Sequence, residues 1–478
     1  MRSLYRQLAD DFAASIRDGT LKAGERVPSV RELSRDRGLS PATVVHAYEL
    51  LEADGFIETR PRSGFYVSAA WQAAPRAAAP RPPAPRREPR TTRVDVSELV
   101  FQVLESVRDR DVVPLGSAFP SPMLFPLGRL ARCLSTGARQ MDPWSTLDDL
   151  PPGSAELRSQ IARRYLRSGS RVSQDEIVVT SGALEGLNLC LQVLTRPGDI
   201  VAIESPAFYG CLQAIEALRL RAIEIPTLPD RGADVGALAR ILDRHPVRAC
   251  WLMTNFQNPL GALMPEESKK DLVKLLEKHT VPLIEDDVYA ELYFGRRPKP
   301  AKAFDRSGLV LHCSSFSKCL APGYRIGWVA AGRFATALQR RKIMSSLSTS
   351  IPAQDAITLY LREGGYERHL AALRRALASQ QAAALESLTR HMPPGFRVVR
   401  PEGGYFLWVE LAPGLDAIAI HQQALEQGLS VAPGPIFSAK RQFRSYLRLN
   451  YGHEWSPAFD AAIRKLANIL RTAARAAG

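Results

Sequence analysis

Residues 314–328 read SSFSKCLAPGYRIGW, a stretch that sets one lysine among two hydroxyls, a following glycine turn and an arginine. Lys318 can condense with an aldehyde to form a Schiff base. Ser315 and Ser317 offer hydrogen-bond donors close before it, and Arg325 has the planar fork that pairs bidentately with a phosphate. Such a set suits an anionic aldehyde, and pyridoxal 5′-phosphate (PLP) needs both functions.

The surroundings support that reading. RACWLM (248–253) has the pattern of a buried strand and runs into TNFQNPLG, while VPLIEDD (281–287) has the same pattern and runs into VYAELY. Each strand therefore delivers polar groups at its C-terminal end, where open α/β sheets bind ligands. Asn258 and Tyr289 are placed to hydrogen-bond a phenolic oxygen, and Asp286, ending an apolar run, can pair with a protonated pyridine nitrogen. Further upstream, EIVVT (176–180) leads through Ser181, Gly182 and Ala183 into an apolar-faced helix. Backbone N–H groups of Gly182 and Ala183 would face a phosphate there.

With these motifs in view, residues 96–478 resemble the fold-type I, aspartate-aminotransferase-like enzymes that use PLP. The resemblance implies Lys318 as the Schiff-base lysine and general base, Asp286 as the pyridinium partner, and Asn258 with Tyr289 on the phenolic oxygen. It also implies Phe208, in ESPAFYG, as the ring-stacking aromatic and Arg448, in YLRLNYG, as the clamp for a substrate α-carboxylate. Where such enzymes commonly carry a tyrosine reaching the partner subunit's phosphate, this chain has Asp148, with Trp144 the nearest aromatic.

The first seventy residues have a different character. LYRQLADDFAASIRDG (4–19) is predicted to form a helix with Leu4, Leu8, Phe12 and Ile16 on one face, ending at Gly19. Ser29 and Glu32 form a capping box, and Ser40 followed by Pro41 opens a helix from Pro41 to Ala53 that aligns Val44, Tyr48 and Leu51. Two short helices and the alternating segment GFIETRPRSGFYVS (55–68) make a helix-turn-helix with a wing. This order resembles the DNA-binding domain of GntR-family transcriptional regulators. The resemblance implies that Ser40, Pro41 and Thr43 face the major groove, that Arg31 and Arg35 approach phosphates, and that Arg60, Arg62 and Gly64 meet the groove edge. Residues 1–71 hold ten Lys plus Arg against ten Asp plus Glu, so affinity for double-stranded DNA must come from charge placement and a second copy.

Between these regions, residues 72–93 hold six Pro, six Arg and one Glu without apolar periodicity. The organisation expected is a domain at 1–70, a linker at 71–95 reaching about 70 Å if extended, and a PLP-type domain at 96–478. The last divides into a large domain at about 150–345 and a small one from about 96–149 plus 346–478. A winged helix joined so to an aminotransferase-like body is similar to the MocR subfamily of GntR regulators, which form head-to-tail homodimers.

The fold class is thus α/β: an N-terminal winged helix-turn-helix, then a fold-type I PLP-dependent transferase with a large doubly wound domain and a smaller α+β domain. With 45% hydrophobic and 23% charged residues the composition is that of an ordinary globular protein, and the net charge of +14 suits a nucleic-acid partner. Asp10 and Asp11 and the lack of an apolar run argue against a signal peptide, and no stretch has the length to cross a membrane. The six cysteines show no metal-type spacing and fit reduced core residues of a cytoplasmic protein. Two functions remain open: a regulator whose PLP site senses an amino acid or amine, or PLP itself, and an aminotransferase with an accessory DNA-binding domain. A PLP lyase would share the same residues.

Overall fold

The computed structural model describes residues 4–17, 21–60, 64–68, 91–94, 96–105, 111–146 and 150–477. Gly19, Arg62, Asp148 and most of the expected linker lie outside these residues. The chain divides into two compact units, 1–77 and 78–478.

The first unit contains α1 (Leu4–Arg17), α2 (Val30–Arg37), α3 (Pro41–Ala53) and a hairpin of β1 (Ile57–Arg60) and β2 (Gly64–Val67). Local chemistry sets each boundary. The Ser29–Glu32 capping box opens α2, with Glu32 N donating to Ser29 Oγ at 3.3 Å and Ser29 N to Glu32 Oε2 at 2.8 Å. Gly38, at φ 61°, ends that helix in the left-handed conformation. Ser40 Oγ caps α3 by accepting from Thr43 N at 3.2 Å. Leu8, Phe12 and Ile16 pack on Val44, Tyr48 and Leu51 in one core. Leu4 departs from the expected stripe: at the first position of the described helix it is 60% exposed.

The second unit opens with β3 (Thr92–Arg93), α4 (Ser97–Glu105), α5 (Leu127–Gln140) and α6 (Ala155–Arg167). Alternation follows: β4 (Ile177–Thr180), α7 (Ala183–Leu194), β5 (Ile200–Ser205), α8 (Tyr209–Ala217), β6 (Arg221–Leu228), β7 (Gly232–Ala233), α9 (Val235–Arg244), β8 (Val247–Leu252), α10 (Glu266–His279), β9 (Leu283–Asp286), β10 (Val310–Ser315) and β11 (Gly327–Ala330). The rest comprises α11 (Ala335–Ser346), α12 (Ile351–Arg362), α13 (Tyr366–His391), β12 (Arg397–Val398), β13 (Phe406–Glu410), α14 (Ala417–Glu426), β14 (Ala432–Pro433), β15 (Tyr446–Asn450) and α15 (Pro457–Ala477). The large sheet has the order β3-β6-β5-β8-β9-β10-β11-β4, with β7 paired to β6. Strands β6, β5, β8, β9 and β10 run parallel, whereas β11 lies antiparallel to both neighbours. A four-stranded antiparallel sheet, β12-β13-β15-β14, forms the small domain.

Two expected boundaries move. The linker does not extend to residue 95, because Thr92 and Arg93 pair with Ala222 and Arg221 as an edge strand, and Val94 and Val96 are buried. Nor does 96–105 belong to the small domain: Val96 N and Ser97 N donate to Glu216 Oε2 on α8 at 3.0 and 3.1 Å, which ties α4 to the large sheet's helices. Among the described residues no helix is long and apolar enough to cross a membrane.

Candidate functional site

The C-terminal ends of β4, β8, β9 and β10 converge on one cavity of about 260 Å³. It is lined by Ala183, Phe208, Asn258, Asp286, Tyr289, Ser315, Ser317, Lys318 and Arg325, so most residues expected from sequence meet there. Lys318 Nζ donates to Ala118 O at 3.0 Å and lies 4.4 Å from the centre of the Phe119 ring. Burial, then the nearby Arg448 and Arg325, push its pKa down to about 7 against the pull of Asp286. Asp286 moves the other way, up to about 7, because it is buried and because Asp287 stands next to it. Among the described residues its Oδ1 has no hydrogen-bond partner, and neither has Nδ2 of the equally buried Asn258.

Beside the lysine, the turn at Ser181 to Ala183 meets the loop that carries Arg325. Arg325 Nη1 donates to Ser317 Oγ at 3.3 Å and Nη2 to Ser181 O at 3.4 Å. The guanidinium is exposed and has no salt bridge among the described residues. Its approach requires Gly182: a Cβ there would lie 2.4 Å from Arg325 Nη2, and the backbone adopts φ 91°. The sequence reading of this turn needs correction. Gly182 N–H does not point outward but donates to Thr180 O at 2.8 Å, and Ser181 N–H is taken by the Glu185 carboxylate. Ala183, the first residue of α7, therefore remains as the leading backbone donor. Ser315 Oγ accepts from Ser317 N at 3.4 Å, so this pair also braces the lysine loop.

Tyr289 is buried with its ring edge-on to Tyr405 and Phe406 at 5.5 and 5.7 Å. Phe208 precedes α8, and its ring lies so close to Gly210 that a Cβ there would be 2.5 Å away. Arg448 is fully buried on β15 although it does not line the cavity itself. Its Nη1 donates to Asn258 Oδ1 at 3.2 Å and Nη2 to Gly116 O and Ser117 O at 2.7 and 3.2 Å, while Nε has no partner among the described residues. The Phe406 ring sits 4.3 Å from the guanidinium carbon.

Sequence reasoning missed the segment at 116–119, whose consecutive carbonyls receive Arg448 and Lys318. Tyr405 OH and Asn450 Nδ2 hold the same segment by donating to Ala118 O at 3.1 Å and Ser117 O at 3.0 Å. It also missed Glu185, which accepts from the buried Lys342 Nζ at 3.1 Å. Neither feature has a local motif, since each joins residues more than 150 positions apart.

In the first unit, Arg31, Arg35, Ser40, Pro41 and Arg60 are exposed, while Thr43 and Gly64 are half-buried. Arg60 is engaged within its own hairpin: Nη2 donates to Glu58 Oε1 at 2.8 Å and the guanidinium covers the Tyr66 ring at 4.4 Å. Arg26, not singled out in the sequence, bridges to Tyr66 and lies against Gly64.

Residues 4–67 match the bacterial regulatory proteins of the gntR family, and residues 149–457 match the class I and II aminotransferases. The chain is 47% identical to the HTH-type transcriptional regulator YdcR of Escherichia coli over 468 residues, covering 98% of this chain and 99% of that one. It is 32% identical to aromatic-amino-acid aminotransferase 1 of Thermococcus litoralis over 382 residues, covering 77% and 90%. Among solved structures, kynurenine aminotransferase of Pyrococcus horikoshii in complex with PMP aligns with TM-score 0.73 and 31% identity, covering 79% of this chain and 95% of that one. The α-aminoadipate aminotransferase LysN of Thermus thermophilus, complexed with N-(5′-phosphopyridoxyl)-L-leucine, aligns with TM-score 0.72 and 28% identity, covering 80% and 98%. With a gntR-type winged helix-turn-helix ahead of a class I/II aminotransferase domain, and regulators of the same build matched end to end, the chain belongs to the MocR-type GntR family of DNA-binding transcriptional regulators.

Proposed function

We propose that the second unit binds PLP on Lys318 and that the same cavity senses an amino acid or amine, or PLP itself, for the regulator. The observation that carries this reading is the pair of orphaned buried atoms at one cavity, Asp286 Oδ1 and Asn258 Nδ2. An unmet buried polar atom costs about 1–3 kcal/mol, and a ring nitrogen and a phenolic oxygen would satisfy these two. Arg325, Ser317 and the start of α7 would hold the phosphate, and Phe208 would lie against the ring. Arg448, with Nε unpaired, would take a carboxylate. When bound, PLP supplies an electrophilic carbonyl and an electron-withdrawing ring. Lys318, with its pKa brought down to about 7, has a large uncharged fraction at neutral pH that can attack a carbonyl, and it can later take up a proton at Nζ.

The reading includes a head-to-tail homodimer. Phe119 and Leu184 line the cavity yet are half exposed, and Met123, Ile343 and Met344 add large apolar side chains at the surface, as expected where a second copy would cover them. A second reading, an aminotransferase carrying a DNA-binding unit, is favoured by one observation: Lys318 and Asp286, which would serve as base and ring partner in transamination, line the same cavity.

A gel-shift titration of the full chain on DNA upstream of its own gene and of the divergent neighbour tests this, with visible spectra recorded as PLP and amino acids are added. Specific DNA binding altered by a ligand that also changes the spectrum is expected. Steady amino-group transfer without a specific shift would replace the first reading by the second.

A further inference from the structure

Asp286 is followed by a second buried carboxylate that does not face the cavity. Asp287 lines a different pocket with Tyr165, His312 and Trp328, as alternation at the end of a strand requires. Its backbone is fixed on both sides, with Asp287 N donating to Cys313 O at 2.9 Å and Ser314 Oγ donating to Asp287 O at 2.9 Å. Its side chain ends a hydrogen-bonded chain drawn from several elements. Trp328 Nε1 donates to Tyr165 Oη at 2.9 Å, Tyr165 Oη lies 2.7 Å from His312 Nδ1, and His312 Nε2 lies 2.9 Å from Asp287 Oδ2. From the other side, Asn255 Nδ2 donates to Asp287 Oδ1 at 3.0 Å, and Lys269 Nζ donates to Asn255 Oδ1. Tyr165, Asn255, Lys269, Asp287 and His312 are all buried.

The direction of these bonds assigns the protons. An indole N–H can only donate, so Tyr165 accepts from Trp328 and its own O–H is given to His312 Nδ1. The imidazole proton then sits on Nε2 and is donated to Asp287. A second proton on His312 would set two donors against Tyr165 and leave the phenol proton without an acceptor among the described residues. The charged groups acting on His312 are Asp287 and Glu285, which favour that second proton, and Lys302, which opposes it together with burial; the net pull is upward. The hydrogen-bond polarity holds the ring neutral nonetheless, so no imidazolium offsets the Asp287 carboxylate, and the Lys269 ammonium reaches it only through Asn255.

We propose that Asp287 and a neutral His312 are positioning residues for Asp286: the chain pins the Asp286–Asp287 peptide and presents one negative charge behind the carboxylate that receives the ring nitrogen. This rests on the reading that the cavity holds PLP. A fixed negative charge in that place strengthens proton binding by the groups in front of it, Asp286 and the Lys318-linked chromophore.

The test is a pH titration of visible absorbance for the full-length, PLP-loaded chain, wild type against Asp287→Asn and His312→Gln. Asparagine removes the charge, whereas glutamine can repeat both bonds of the neutral imidazole. The midpoint should fall by about 0.5–1 pH unit in Asp287→Asn, a 3- to 10-fold loss of proton affinity, and stay within about 0.2 unit of wild type in His312→Gln. Asp287→Ser, which can still accept from Asn255, should show the same fall and serves if Asp287→Asn does not fold. A retained band with no shift in the Asp287 variants overturns the proposal. So does a rise in His312→Gln as large as that fall, since it would mean an imidazolium–carboxylate pair with no net charge. A wild-type chain that gains no visible band with PLP overturns the cofactor reading and this proposal together.

Discussion

At the scale of single residues, the site holds two charges away from their ordinary states, and both weigh against folding. Lys318 falls from 10.5 to about 7, so between those values the folded chain binds fewer protons than the unfolded one and stability rises with pH through the window. Asp286 rises from 3.8 to about 7, so the folded chain binds more protons there and stability falls as pH climbs. Lys318→Met should therefore raise the melting temperature of the PLP-free chain most at pH 7 and below, by about 2–4 °C per kcal/mol recovered, with the gain fading toward pH 10. The same variant should lose the visible band in the presence of PLP. Asp286→Asn should melt higher than wild type at pH 8 but not at pH 4, as paired thermal scans would record, while binding PLP more weakly. Neither shift is legible in the sequence, although both residues are. Lys318 and Asp286 stand out because their neighbours in the chain announce them, whereas the burial that shifts both most, and the Arg448 that acts on Lys318, come from elements far along the chain. Arg448 marks the limit of such reading: only the resemblance picks it from an alternating strand, and its bonds to Asn258, Gly116 and Ser117 cross 190 residues or more.

At the scale of elements, the legible parts are those whose signals are local. Ser29 with Glu32 and Ser40 with Pro41 fix the starts of α2 and α3 because a cap is a contact within one turn. The turn before α7 is less legible, since Gly182 N–H closes on Thr180 O and only the three-dimensional turn reveals it. Thr92 and Arg93 were hidden for a different reason: an edge strand of two residues has too few positions to display a period, and its neighbours are rich in Pro and Arg. The wing offers a sharper consequence. Arg60 is tied to Glu58 and stacked on Tyr66, so a phosphate or base edge must compete with a carboxylate that is 42% exposed. Exposed pairs of this kind are worth about 0.2–1 kcal/mol. Glu58→Gln should accordingly tighten DNA binding by about 2- to 5-fold, and by a smaller factor at high salt, whereas Arg60→Ala should weaken it; a gel-shift series at two salt concentrations distinguishes these effects. Ser40→Ala should cost about 1 kcal/mol by loss of the α3 cap, seen as an earlier unfolding of the first unit.

At the scale of the whole molecule, two units with separate chemistry share one chain, and regulation requires a free energy that links them. The first unit carries no net charge over residues 1–71, and the excess of +14 lies beyond them. Only differential affinity of the ligand for two conformations of the regulator can then alter DNA binding. Such coupling is about 1–3 kcal/mol in typical cases, or about 5- to 150-fold in affinity. Linkage makes it reciprocal: if an amino acid weakens operator binding by some factor, the operator must weaken binding of that amino acid by the same factor. The prediction is a displaced midpoint in the spectral titration of the PLP-loaded chain with the effector when saturating operator DNA is present, equal in size to the shift in DNA affinity and absent with an unrelated duplex. Arg448→Lys should reduce both shifts together, because it would weaken the proposed carboxylate clamp while leaving the sequence of α3 and the wing unchanged. If the midpoint ignores the operator while the effector still changes DNA affinity, the ligand acts at a place other than the Lys318 cavity.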